Sequence, residues 1–365
     1  TMIRAQYPGK YAIKIPKNRK EMLKHEYAEE FKIAEEIELE TIHDKGTIKY
    51  VENSPEIRHK LKTRMVYDIK SDNDGNITKF KARLVVLGFE QRENEYYETY
   101  APVSQWATIL ILMLVGWYHG MSIYCMDFKG AYLHAERPAD IPVYLKNVGH
   151  VEIPTGTVPL LVKSLYGLKD AGNLWRKEVH ELLIDLGFQQ SKNDPCLYIR
   201  RRNGYNTYVA TWVDDLIIAT NEPNPEEIKT HSEEKGYEIS LFEKIDKYLG
   251  VRWEISSEEF KFNQKEYIHK ILTNTNMQDC KGVRTPMNTK PSYHDTPGGK
   301  YEMINRLLQD GEISNNEAKK RREEVFEEIR YMKKVPYRSV IGALSHLARR
   351  ARPDIQFAVF YHARY

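Results

Sequence analysis

Cysteine is scarce in this chain. There are 3 in 365 residues, Cys125, Cys196 and Cys280, and no two share a CxxC spacing. That pattern excludes a disulfide framework, offers no zinc motif, and fits a reducing compartment. Long apolar runs are missing too. A membrane helix needs roughly 18 consecutive apolar residues, and the longest candidate, "TILILMLVGWYHGMSIY", is interrupted by Gly116, His119 and Gly120. The opening "TMIRAQYPGKYAIKIPKNRK" has no apolar core of the kind a secretion signal carries. Internal repeats and low-complexity tracts are absent. Net charge is small, +3. What remains is a chain with enough apolar residues, 41%, for real cores. Its length suits two or three linked lobes.

The charge that nearly cancels overall is unevenly placed. Residues 1–24 carry seven Lys and Arg against one acid, residues 58–92 nine against four, and the last twenty residues four arginines against one aspartate. Any one cluster reads equally as solvated surface. Three of them around an acidic centre point to phosphate backbones. That centre lies in "TYVATWVDDLIIAT", where Asp214 and Asp215 sit between apolar flanks. Burying one carboxylate among apolar groups costs several kcal/mol or forces its protonation. Two neighbours raise each other's pKa further. The pair is therefore either a solvated turn or a set of metal ligands.

Periodicity places the rest. "NRKEMLKHEYAEEFKIAEEIELETIHDKG" predicts one helix with Leu23, Tyr27, Phe31, Ala34 and Ile37 on its apolar face and Gly46 as its stop. "RMVYDIKSDNDGNITKFKARLVVLGF" predicts a hairpin through Asp74-Gly75, with Lys79, Lys81 and Arg83 as a basic face. "ATILILMLVGWYHG" predicts a buried helix, "SIYCMD" a strand ending in Asp127, and "NLWRKEVHELLIDLGF" an amphipathic helix through Trp175, Val179, Leu182 and Leu186. Two hairpins follow, one through Asn203-Gly204 and one through the aspartates. "PEEIKTHSEEKGYEIS" predicts a helix, "KYLGVRWEISSEEFKFNQ" two strands, and "KEYIHKILTNTNM" a helix. "TPMNTKPSYHDTPGGK" reads as a linker. Residues 301–334 are highly charged, with Val325, Ile329 and Met332 as a thin apolar stripe, and read as a surface helix pair or a mobile insertion. Two short helices close the chain.

If the strand ending in Asp127 neighbours the Asp214–Asp215 hairpin, three carboxylates converge at one sheet edge. Such oxygens suit Mg²⁺. Two ions a few ångströms apart would clamp both oxygens of a phosphoryl transfer, a reaction that asks mainly for positioning and charge neutralisation.

At this point several motifs, in order, resemble one family. "KFKARLVVLGF", "YYETYAPVS", "CMDFKGAYLHA", "SLYGLKDAGNLW", "WVDDLIIA", "KYLGVRWEI", "QKEYIHKIL", "VRTPM" and "YRSVIGALSHLARRARPDIQFAV" follow the blocks of the reverse transcriptase of copia-type long-terminal-repeat retrotransposons. The resemblance implies an α+β right-hand polymerase whose antiparallel palm sheet carries the catalytic aspartates. It implies a basic, helical extension over 1–46, fingers with part of the palm over 47–120, and a palm over 121–255 with an inserted fingers segment near 140–175. A thumb-like region over 256–365 would carry the charged insertion 295–334. Asp127, Asp214 and Asp215 take the places of the metal-binding triad, with the Phe128 carbonyl beside them. Lys81, Arg83, Phe128, Lys129, Gly167 and Lys169 take nucleotide-binding places. Tyr132 takes the place of an aromatic that excludes a ribose 2′-OH, against a plain reading as core. Trp212 and Tyr248-Leu249-Gly250 take primer or template places, whereas Trp175 reads as core.

The expected cofactor is a pair of Mg²⁺ ions, with Mn²⁺ as a substitute. The expected partners are dNTPs, an RNA template, a DNA primer and their hybrid, with no membrane and with either a monomer or a homodimer. The expected location is intracellular, in cytoplasmic virus-like particles or the nucleus. After the last motif only "YHARY" remains, so no ribonuclease H acids are expected, as in a polyprotein fragment or a trimmed polymerase. Departures from the family pattern fall at Leu110, Trp212, Asp170, Gly172 and Asn173. They keep open a second reading, a domesticated non-catalytic nucleic-acid-binding or scaffold protein. A third, another two-metal enzyme such as a nuclease or nucleotidyl cyclase, lacks a clear water-activating His or Glu.

Overall fold

The computed structural model describes residues 13–71, 76–287 and 296–364. The chain divides into two compact units, Thr1–Ile245 and Asp246–Tyr365. It is a mixed helix and sheet fold. Every ladder between its strands, among the described residues, is antiparallel.

The first unit opens with a short helix, α1 (Arg19–Met22), and a longer one, α2 (Ala28–Asp44). The single helix expected over this stretch is broken. Leu23 caps α1, and the Tyr27 amide is taken by the His25 ring at 3.2 Å rather than by a helical carbonyl. The break resets the helical phase. Phe31, Ala34 and Ile42 are buried, while Leu23 and Ile37 of the expected face are exposed. Gly46 ends the element with φ +62°, as its sequence position suggested.

Strands β1 (Ile48–Glu52), β2 (Thr63–Ser71) and β3 (Ile77–Val86) follow. The expected basic hairpin is β2–β3, paired so that Lys81 faces Asp68 and Arg83 faces Val66. Phe80, Ala82, Leu84 and Val86 go inward while Lys79, Lys81 and Arg83 alternate outward. The Asp74-Gly75 turn itself lies outside the described residues.

Helix α3 (Trp106–Tyr118) buries only one face, through Ile109, Leu112, Met113 and Gly116. Ile111 and Leu114 are exposed, so the expectation of a fully buried helix is corrected: the helix lies over a sheet rather than inside a core. Next come β4 (Ser122–Phe128), β5 (Val143–Tyr144), β6 (Thr157–Leu161) and helix α4 (Ala171–Asp185), with Trp175, Val179 and Leu182 buried as expected. Strands β7 (Gln189–Gln190), β8 (Leu197–Arg202), β9 (Tyr205–Trp212) and β10 (Asp215–Thr220) precede α5 (Glu227–Glu234) and β11 (Ile239–Lys244). The Asn203-Gly204 turn has φ +53° and +82°, the left-handed pair a two-residue hairpin needs.

Six strands form the central sheet, in the order β11-β4-β10-β9-β8-β7. One face of it packs on α4 through Met126, Phe128, Trp175, Val179, Val209, Leu216 and Ile218. Strand β11 corrects the helix that the sequence predicts through "YEIS". Gly236, at φ +87°, stops α5, and the chain then returns as a strand along β4.

The second unit contains β12 (Lys247–Tyr248), β13 (Val251–Ile255) and β14 (Phe260–Asn263), then α6 (Lys265–Asn274). Part of the expected linker is helical. Thr296 accepts from the Gly299 amide and Pro297 occupies the first turn, so α7 (Pro297–Gln309) begins inside it. Helix α8 (Asn315–Met332) pairs with α7 around Ile304, Ala318 and Val325, which makes the charged insertion a helix pair. Helices α9 (Tyr337–Arg350) and α10 (Gln356–His362) end the unit.

Candidate active site

The site grows from three adjacent strands. Side chains alternate along a strand, and register decides which of them meet. In the β4–β10 ladder Asp215 lies directly opposite Asp127. In the β9–β10 ladder Asp215 pairs with Trp212, which leaves Val213 and Asp214 as a two-residue loop. The Phe128 amide donates to the Asp214 carbonyl at 3.2 Å, which ties the end of β4 to that loop.

The loop has an unusual start. Val213 has φ +54°, a region that β-branched residues avoid. Its carbonyl accepts from the buried Trp175 indole at 2.8 Å. Phe128 packs edge-on against the same indole, centroids 5.1 Å apart. Trp175 is thus core, as expected, and also the anchor of the aspartate loop.

The carboxylates crowd one another. The Asp214 carboxyl is pushed up to about 6, by burial first and then by the Asp127 charge. Asp215 is pushed up to about 7 by burial, by Asp127 and by Asp214. Asp214 Oδ1 is buried with no hydrogen-bond partner. Ser240 Oγ, on β11, donates to the Asp127 carboxylate. Among the described residues no three His, Cys, Asp or Glu side chains are gathered closely enough to hold an ion as they stand.

Basic and aromatic groups face Asp214. Arg83 and Lys81 draw its pKa downward. The Arg83 guanidinium lies 5.6 Å from the Tyr166 ring centroid, and Tyr166 meets Tyr132 edge-on at 5.2 Å. Burial and the Asp214 charge raise both phenols. Burial and the Arg83 charge hold the Lys81 ammonium below its ordinary value. Lys81 also lines a cleft of about 120 Å³ with Glu38, Lys129 and Tyr166.

Comparison with known families places the chain. The reverse transcriptase (RNA-dependent DNA polymerase) model matches residues 46–289. The chain belongs to the reverse transcriptase family.

Its relatives are retrotransposon polyproteins of the copia type. The chain is 27% identical over 354 residues to the retrovirus-related Pol polyprotein from transposon TNT 1-94 of Nicotiana tabacum, covering 96% of this chain and 25% of that one. It is 28% identical over 299 residues to the Pol polyprotein from transposon RE1 of Arabidopsis thaliana, covering 81% of this chain and 18% of the relative. A putative transposon Ty5-1 protein of Saccharomyces cerevisiae is 27% identical over 244 residues, 66% of this chain and 68% of its own. The chain thus spans a quarter or less of the two plant polyproteins.

Other motif positions of this reverse transcriptase chain have partners of their own. Lys129 is committed to Glu238 at 2.7 Å, and Glu238 also holds Lys45 at 2.9 Å. Lys169 donates to the Gln91 carbonyl at 2.9 Å and lies over the Tyr96 ring. Gly167, at φ +92°, is a close-approach position, since a Cβ there would meet the Val86 carbonyl oxygen at 2.2 Å. It lets the chain before α4 cross β3. Tyr248, Leu249 and Gly250 lie in the second unit, where Leu249 and Gly250 turn β12 into β13 with φ +49° and +76°. Cys125 and Cys196 are buried free thiols, Cys280 an exposed one. No helix among the described residues is long and apolar enough to cross a membrane.

Two departures from the family pattern have structural partners. Asp170 forms a buried bidentate pair with Arg137, at 2.9 and 3.0 Å. The Asn173 amide donates to the Tyr100 carbonyl at 2.7 Å. Sequence reasoning missed Tyr166, Ser240, Glu38 and Glu238. Tyr166 lay within a quoted motif, "SLYGLKDAGNLW". Nothing local marked the other three, which reach the site only through pairing of β11 and packing of α2.

Proposed function

We propose that the chain is an RNA-directed DNA polymerase that extends a DNA primer with dNTPs on an RNA template and also copies DNA. The observation that carries this reading is the register placing Asp215 opposite Asp127, with Asp214 on the loop between β9 and β10. In the right-hand description, ribbon β2–β3 belongs to the fingers, the six-stranded sheet is the palm, and the helices of the second unit belong to a thumb.

The donor set suits Mg²⁺. Asp214 Oδ1 is buried and unpartnered, and the two carboxyls that burial and mutual repulsion push upward would be relieved by a cation. Asp127, Asp214, Asp215 and the Phe128 carbonyl would hold it after Asp127 releases Ser240. When bound, two Mg²⁺ ions supply neutralisation of the charge on the attacking and leaving oxygens.

The chain's own residues do the rest. Arg83 offers a planar fork to the triphosphate, and Lys81, already partly desolvated, adds a point charge. Tyr166 holds the Arg83 guanidinium in place. Tyr132, by its place in the motif, would meet the sugar edge and reject an added 2′-hydroxyl. The Trp175 bond to Val213 keeps the Asp214 loop fixed while the primer 3′-oxygen, losing its proton to water, attacks the α-phosphate in line and the bond to the β-phosphate breaks, releasing pyrophosphate. The hybrid is held by shape and backbone contacts, without sequence preference. The parts given to Gly167, Lys169, Trp212 and Tyr248–Gly250 rest on the motif resemblance.

Primer extension on poly(rA)/oligo(dT) with Mg²⁺ or Mn²⁺ tests the proposal. Incorporation that vanishes in Asp214→Asn supports it. Binding of the hybrid with no incorporation under either metal sinks it in favour of a non-catalytic scaffold.

A further inference from the structure

Helices α7 and α8 carry a second surface with no part in the chemistry above. Their buried residues form a small core of their own: Ile304, Ala318 and Val325, with Leu308, Ile313 and Ile329 around them. Beside this core runs an open groove of about 370 Å³ between the two helices. Its apolar floor comes from Met303, Ile304 and Leu307 on α7 and Val325 on α8. Those positions repeat at the three- and four-residue spacing of one helix face. Met303 is half exposed, at 50%. The rims are charged, with Lys300 paired to Glu328 at 2.9 Å and Arg321 paired to Glu317 at 2.9 Å.

The charge order along α8 is what identifies an occupant. The helix reads "NNEAKKRREEVFEEIRYM": a basic block, Lys319 to Arg322, is followed by acids at Glu323, Glu324, Glu327 and Glu328. Arg321 and Glu328 both line the groove and stand seven residues apart, two helical turns on one face. Two such helices running antiparallel, with the two-fold axis between Glu324 and Val325, bring Arg321 of each level with Glu328 of the other. Further out Lys319 comes level with Arg330, whereas over the stretch Arg321 to Glu328, basic then acid, the helix is complementary to itself reversed. That is the condition for an isologous two-fold interface.

We propose that the α7–α8 pair is a self-association module, and that two copies of this chain join through it as an antiparallel four-helix bundle. Met303 and Leu307 of each copy would close over the groove of the other, with the Arg321–Glu328 pairs at its edges. Separate polymerase units would then be held by a surface remote in sequence from the aspartates.

Sedimentation velocity of the full chain across a micromolar concentration series tests this. The wild type is expected to move from monomer to dimer mass. Arg321→Glu alone and Glu328→Arg alone each place like charges opposite each other at two points. Each should weaken association on the order of a hundredfold. Mixed together they restore complementarity at both points, so the mixture is expected to form a mixed dimer. Met303→Glu, whose side chain is half exposed in the folded hairpin, should also give a monomer with unchanged helical circular dichroism. A monomeric wild type throughout the series overturns the proposal. So does a dimer that survives both single charge reversals, or a mixture of the two that stays monomeric while circular dichroism shows both folded.

Discussion

Asp127, Asp214 and Asp215 repel one another across the end of the central sheet. Without a cation, Asp214 and Asp215 have folded pKa values of about 6 and about 7, above the ordinary carboxylate value of 3.8. A raised pKa means the folded state binds protons more tightly than the unfolded chain. The associated stability is fully present below pH 3.8 and is lost as pH rises through 6 to 7. Asp214→Asn removes one charge from that crowd. It should raise metal-free stability at neutral pH by about 1–3 kcal/mol, read by urea denaturation with a chelator present, while extension activity disappears. Lower stability in the variant would show that the Asp214 charge is not the strained member. Tyr132 makes a second prediction. Tyr132→Ala should relax discrimination between dNTPs and rNTPs by about tenfold to a hundredfold, measured as the ratio of kcat/KM values. Tyr132→Phe should keep it, because the ring and not the hydroxyl does the excluding.

Elements bring those residues together, and two backbone positions carry the cost. Gly167 has φ +92° and no room for a Cβ beside the Val86 carbonyl. Gly167→Ala should lower stability by about 2–4 kcal/mol, seen as a reduced denaturation midpoint. Val213 is the opposite case. It holds φ +54° at the first position of a two-residue hairpin loop, where glycine is the usual occupant. Val213→Gly should raise stability by about 1 kcal/mol, and an unchanged or lower midpoint would contradict the strain argument. This is also where the sequence was least legible. The apolar–Asp–Asp–apolar pattern identified the hairpin and its aspartates, because alternation and charge are local signals. The loop's strain was not legible, since valine in an apolar run reads as strand. Strand β11 was hidden because "YEISLFEK" continues the acidic character of α5, and its pairing to β4 is a long-range fact. The break between α1 and α2 escaped because a histidine side chain captures one amide. The Lys81–Arg83 face, by contrast, followed directly from two-residue periodicity.

In the whole molecule, the first unit contains the carboxylates, the basic ribbon, Tyr132 and Tyr166, whereas the second contains a three-stranded sheet and five α-helices among the described residues. Family membership rests on a match across residues 46–289, which spans both units. The departures at Asp170 and Asn173 each have a partner in the fold. The central claim is that the three site aspartates drive templated nucleotidyl transfer. It is tested most directly by primer extension on an RNA template with Mg²⁺, comparing the wild type with Asp127→Asn, Asp214→Asn and Asp215→Asn at matched hybrid occupancy. The account predicts template-length product from the wild type alone. A wild type that binds the hybrid and adds no nucleotide, or any of the three variants extending at the wild-type rate, would contradict it.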